Sequence, residues 1–120
     1  MSVKQCIVIR KDLKMRRGKE ITQGSHASSA FMTKKGTTFI FTKKQIEWLN
    51  SGQTKITLVV DSEKELLDIF NKAKAKGLEV HLITDAGRTE FGGVPTKTAL
   101  AIGPDDSSKI DEITGSLKLY

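Results

Sequence analysis

Lys19, Gln23 and His26 recur at i, i+4 and i+7, so a helix through them carries an ammonium, an amide and an imidazole on one face, with Ser25 beside it. That combination can hold an anion, position a polar substrate or move a proton. A lone helical histidine is more often a surface or structural residue, so His26 by itself assigns nothing. Immediately upstream, Lys11-Asp12-Leu13-Lys14-Met15-Arg16-Arg17-Gly18-Lys19 leads five basic residues into the start of the helix. Lysine in a first helical turn opposes the helix dipole unless an anion or carboxylate lies nearby. A helix N-terminus already offers unpaired N–H groups to phosphate. A solvated basic loop is the ordinary alternative.

A second group, Thr84-Asp85-Ala86-Gly87-Arg88-Thr89, follows a β-rich run. An aspartate at a strand end can orient a water molecule or pair with a cation, and the glycine lets the backbone turn there. The same residues also make plain turns. No GxSxG elbow, P-loop or GxGxxG after a strand is present, which disfavours covalent serine catalysis and nucleotide hydrolysis. His26 and His81 are the only histidines, and no cysteine or carboxylate spacing completes a ligand set around them, so no metal site is expected.

The elements that must position these groups alternate. Residues 5–9 read as a strand buried on both faces. A helix is expected from Lys19 to about Lys35, with Ile21, Ala27, Ala30 and Phe31 near one side and Gly36 as its stop. A short helix capped by Thr42 should carry Ile46 and Leu49, with Trp48 beside them, and end at Ser51-Gly52. Residues 56–60 form the next strand. Asp61 or Ser62 with Glu65 then caps a helix through Lys76, stopped by Gly77, with Leu66, Ile69, Phe70 and Ala73 on its apolar face. Strands at 80–83 and 98–102 flank a loop over 85–95 with three glycines, and a helix at about 106–114 precedes the tail Leu117 to Tyr120.

This order predicts an α/β fold, a single compact domain over 1–120, with a small mixed and mostly parallel sheet flanked by helices. The third and fourth strands, lacking a helix between them, should be antiparallel. Ligands of such sheets sit outside the strand carboxyl ends. That rule points to the loops after the first and third strands, where both chemical groups lie.

The 120 residues carry 20 Lys and Arg against 14 Asp and Glu, a net charge of +6, which favours a polyanionic partner. Nucleic acid leads a membrane surface, because no basic amphipathic helix with a Trp- or Leu-rich face appears. The single cysteine, Cys6, excludes an internal disulfide and suits a reducing compartment. Without a spanning apolar stretch or a signal segment, a cytoplasmic location is expected.

At Lys11 to Met15, Gly18-Lys19, Gln23 with Ser25-His26, Gly52-Gln53, Asp85 to Thr89, Ile102-Gly103-Pro104, Thr114-Gly115 and Leu117 to Tyr120, the chain resembles the type II peptidyl-tRNA hydrolases of archaea, eukaryotes and some bacteria. Order and spacing agree over nearly its whole length. The resemblance implies a four-stranded mixed sheet and hydrolysis, without cofactor, of the ester joining a peptide to the tRNA 3′ ribose. It makes Lys19, Asp85 and Thr89 active-site residues. On that reading Asp85, with His26 as a further candidate, positions or deprotonates the water, Lys19 stabilises the oxyanion, and Thr89 holds water or ribose. Gln23 and Ser25 would contact substrate, and Lys14, Arg16, Arg17, Arg88 and Lys118 the tRNA phosphates. Gly24 stands where many members have cysteine, which removes a thiol from the site. A noncatalytic tRNA- or ribosome-binding domain and a deacylase of mischarged aminoacyl-tRNA are the alternatives. The expected partner is tRNA and not a membrane, with a homodimer admitted.

Overall fold

The computed structural model describes residues 2–33 and 38–120. In chain order it comprises β1 (Val3–Arg10), α1 (Arg17–Ser29), a 3₁₀ turn (Ala30–Met32), α2 (Lys43–Asn50), β2 (Lys55–Val60), α3 (Glu63–Ala75), β3 (Val80–Asp85), a second 3₁₀ turn (Phe91–Gly93), β4 (Thr96–Asp106), α4 (Ser107–Thr114) and β5 (Lys118–Leu119). The strands form one sheet in the order β3-β4-β1-β2-β5.

The sheet is mixed, as expected, but it has five strands and not four, because the tail pairs Lys118 and Leu119 with Val59 and Leu58. Nor is it mostly parallel. Only β1 and β2 pair in parallel, and the other three pairings are antiparallel. The reason lies in β4. The helical crossovers do make β1, β2 and β3 run the same way, but β4 inserts between β3 and β1 and reverses both contacts. The carboxyl ends of β1, β2 and β3 therefore still share one edge of the sheet, where Lys11 N–H reaches the Val60 carbonyl (2.8 Å).

Helices cover both faces. Along β1 the side chains alternate: Cys6 and Val8 pack with Leu66, Ile69, Ala73 and Ile110 of α3 and α4, while Ile7 and Ile9 pack with Ala27 of α1 and with Ala99 and Ala101 of β4. This two-sided burial explains the unbroken apolar run of β1. Cys6 is fully buried, and that burial raises its thiol pKa.

Local signals set the helix ends. Thr42 and Gln45 form a capping box at α2, Ser62 accepts from Glu65 N–H at α3, and Gly77, at φ +77°, ends α3. Two expectations about helix faces change. Ile21 is 64% exposed, because α1 rests on the sheet through Gln23 and Ala27. On α2 it is Trp48 that is buried, donating its indole N–H to the Thr54 carbonyl (2.8 Å), while Ile46 is exposed. The α-helical part of α1 stops at Ser29 and passes into the 3₁₀ turn; the predicted stop at Lys35-Gly36 lies outside the described residues.

Candidate active site

Asp85 is the last residue of β3, and Lys19 lies in the first turn of α1. The Lys19 ammonium donates to Asp85 Oδ1 at 2.9 Å and to Thr89 Oγ1 at 2.8 Å. The carboxylate that the helix dipole requires near Lys19 is thus supplied from another element. Both side chains are largely enclosed, at 13% and 15% exposure, so their pairing is screened less than a surface ion pair.

Two further groups hold Asp85. Gln23 Nε2 donates to Oδ1 at 3.3 Å, and the Gly87 amide donates to Oδ2 at 2.9 Å. Gln23 is itself oriented from behind, because the buried Thr98 hydroxyl donates to its Oε1. Thr98 points inward through a β-bulge: Ile83 pairs with Ala99 but Thr84 with Lys97, which leaves Thr98 as the extra residue of β4. The Lys19 hydrogen bond, helped by the Gly87 amide, the Lys19 charge and Gln23, holds the Asp85 carboxyl below its ordinary range against an opposing desolvation.

The loop after Asp85 closes over these groups. Gly87 has φ +82°, and a Cβ there would meet the Val94 backbone, its nitrogen at 2.7 Å. Phe91 occupies the left-handed region at φ +65°, unusual for an aromatic residue, and the Lys19 ammonium lies 6.0 Å from its ring centroid. Strain of this kind costs on the order of 1–3 kcal/mol and concentrates at functional sites.

The sites named from sequence separate into groups. Lys19, Gln23, Asp85 and Thr89 form one connected cluster. His26 is exposed and lines, with Gln23 and Asp85, a cavity of about 430 Å³ on the β3 side of α1. Ser25 is not part of this cluster. Its hydroxyl donates to the Ile21 carbonyl, and it faces a more apolar cavity of about 550 Å³ between α1, α2 and β2. Arg17 lines that second cavity with Tyr120, which puts the tail carrying exposed Lys118 on the same side of α1. Arg16, the exposed N-cap of α1, lies 4.0 Å from Glu90. Lys14 and Arg88 are also exposed. Thr98 and Phe91 were not among the site residues assigned from the sequence. A polar residue at the start of an apolar strand was the available signal for Thr98.

The family described as Peptidyl-tRNA hydrolase PTH2 matches residues 3–120. A peptidyl-tRNA hydrolase of Methanocaldococcus jannaschii is 48% identical over 118 residues, covering 98% of this chain and 99% of its own. One from Staphylothermus marinus is 47% identical over 97% of this chain and 93% of its own, and one from Haloquadratum walsbyi 41% over 98% and 100%. Among solved structures, a protein of unknown function from Agrobacterium superposes with a TM-score of 0.65 at 13% identity, over 100% of this chain and 98% of that one, a likeness of fold.

Proposed function

The chain belongs to the peptidyl-tRNA hydrolase PTH2 family and is an enzyme of that activity, and we propose that Asp85 and Lys19 perform the hydrolysis. The observation that carries this is the unequal use of the Asp85 oxygens. Oδ1 already accepts from Lys19 and Gln23, whereas Oδ2 accepts only from Gly87 among the described residues. A carboxylate oxygen has two lone pairs, so Oδ2 keeps one with which to accept from a water molecule. An ammonium has three donors, and among the described residues Lys19 uses two, on Asp85 and Thr89. The third is free for the ester carbonyl oxygen.

With pKa lowered, Asp85 is a weak base, better suited to aiming the water than to removing its proton outright. Attack forms the new C–O bond and places negative charge on the carbonyl oxygen, beside Lys19. Collapse breaks the bond to the ribose 3′ oxygen, which takes one proton of the attacking water, while the other passes to solvent as the peptide leaves as a carboxylate. Thr89, held by Lys19, would donate its hydroxyl to that ribose. His26, in the cavity wall, would contact substrate without touching Asp85. The exposed Lys14, Arg16, Arg17, Arg88 and Lys118 would bind tRNA phosphates in a sequence-neutral way. Such a substrate puts the enzyme in the cytoplasm.

The test is single-turnover hydrolysis of N-acetylaminoacyl-tRNA beside aminoacyl-tRNA with a free amino group. Release of the blocked substrate, with little from the free one, is the expected result. Equal release of both would instead indicate a general deacylase, and binding without release a noncatalytic domain.

A further inference from the structure

One strand edge beside the site has no partner strand among the described residues. Among the described residues β3 pairs only with β4, and β3 ends at Asp85. The Gly103 amide donates to the Glu79 carbonyl at 2.8 Å, which sets the alternation of the antiparallel ladder. His81 and Ile83 turn their N–H and C=O groups towards β4, and Val80 and Leu82 turn theirs outward. The cavity that holds Asp85 continues back along this edge to Leu82. Its far wall includes His26 and Thr33 beside the small side chains of Ser29 and Ala30.

We propose that the peptide moiety of the substrate binds in this cavity as a strand added in parallel to β3, recognised through its main chain. The proposal rests on the assignment of hydrolysis to Asp85 and Lys19. The residue esterified to tRNA is the C-terminal one, so it must lie at Asp85, and the peptide must retreat from there towards Leu82. It then runs in the same direction as β3. At roughly 3.3 Å per residue, the step from Asp85 back to Leu82 spans about 10 Å, or about three residues of peptide. Main-chain bonding to a sheet edge binds different sequences alike, which suits an enzyme whose substrates share an ester and no side chain. The outward N–H of Leu82 would donate to a peptide carbonyl, and its C=O would accept from a peptide amide.

The test changes the substrate and leaves the protein intact. Single-turnover kcat/KM is measured for N-acetylaminoacyl-tRNA, for a tripeptidyl-tRNA with the same C-terminal residue, and for that tripeptide N-methylated at each of its two internal amides in turn. The expected gain from the longer peptide is about tenfold, the scale of one or two hydrogen bonds. Because only alternate amides of a strand face its neighbour, methylation at one position should abolish the gain and at the other leave it within about threefold. Equal effects at both amides, or no gain with length while N-acetylaminoacyl-tRNA is still hydrolysed, would overturn the added strand and leave the catalytic assignment standing. Undiminished turnover of all four substrates by Asp85→Asn would overturn the catalytic assignment, and the strand with it.

Discussion

Lys19 and Asp85 lie 66 positions apart in the chain and meet at 2.9 Å, each largely withdrawn from solvent and each bonded to a further group that keeps it in place. The lysine opens a helix and the aspartate closes a strand, so two separate elements must dock correctly before either group is useful.

If the pair acts mainly on the transition state, Asp85→Asn and Lys19→Ala should each lower kcat by on the order of 100-fold or more while leaving tRNA binding nearly intact. The double variant should lose less than the product of the single losses. Single-turnover rates and tRNA affinities for the three variants, with thermal melts to confirm folding, decide this. Near-normal rates in Asp85→Asn would reduce the residue to a turn former.

The lowered pKa of Asp85 has Lys19 as its principal cause. A carboxyl depressed in the folded state adds stability that is fully present above its unfolded value, about 3.9, and is lost as pH falls through the lower folded value. Lys19→Met should therefore move the Asp85 titration upward, and the part of the folding stability that the parent protein loses on acidification should shrink. Carbon-detected NMR titration of the carboxyl in both proteins reads this directly; an unmoved midpoint contradicts the pairing.

Thr98→Val is close to isosteric and removes the hydroxyl that orients Gln23. Leaving the buried Gln23 oxygen without its donor should cost about 1–3 kcal/mol in unfolding free energy. The rate should fall, while tRNA affinity stays unchanged. A stability loss with an unaltered kcat would make Gln23 a packing residue only.

Two glycines of the closing loop offer an internal comparison. At Gly87 an added Cβ meets the Val94 backbone, and at Gly92 it meets open space, with φ positive at both. Gly87→Ala should displace the amide that holds Asp85 Oδ2 and depress kcat strongly. Gly92→Ala carries only the milder conformational strain and should retain most of the activity. Similar kcat values for the two variants would show that the Gly87 contact does not matter.

The basic residues should appear in the salt dependence of tRNA binding. Arg17→Ala and Lys118→Ala, on one side of α1, should each weaken affinity and reduce the slope of log K against log salt by roughly 0.7–0.9 if each neutralises one phosphate. An unchanged slope would remove that residue from the tRNA footprint.

Short-range chemistry was readable in the sequence: the cap at Thr42, the cap at Asp61 or Ser62 that proves to be Ser62, the stop at Gly77, and the helical face shared by Lys19, Gln23 and His26. The expectation that the loops after β1 and β3 meet also held, because β1 and β3 run in the same direction. Strand order was not legible. Nothing local in residues 96–106 says that they insert between β3 and β1, and a two-residue strand such as Lys118–Leu119 is too short to give a period. The inward turn of Thr98 arises from the β4 bulge, a property of pairing rather than of any residue type. Exposure of Ile21 and burial of Trp48 likewise depend on how α1 and α2 dock on the sheet.

The chain holds a single tryptophan, Trp48, 2% exposed, in edge contact with Phe31 at 5.9 Å and with the Lys55 ammonium 5.0 Å from its ring. It belongs to α2, which contributes none of the catalytic cluster. Nature has thereby given the protein a built-in optical gauge of its scaffold: unfolding must bring the indole into water and redden its emission, whereas a substitution at Asp85 or Lys19 that spares the fold should leave the spectrum as it was. Any inactive variant can be sorted by colour, without a label, into those that have lost their chemistry and those that have lost their shape.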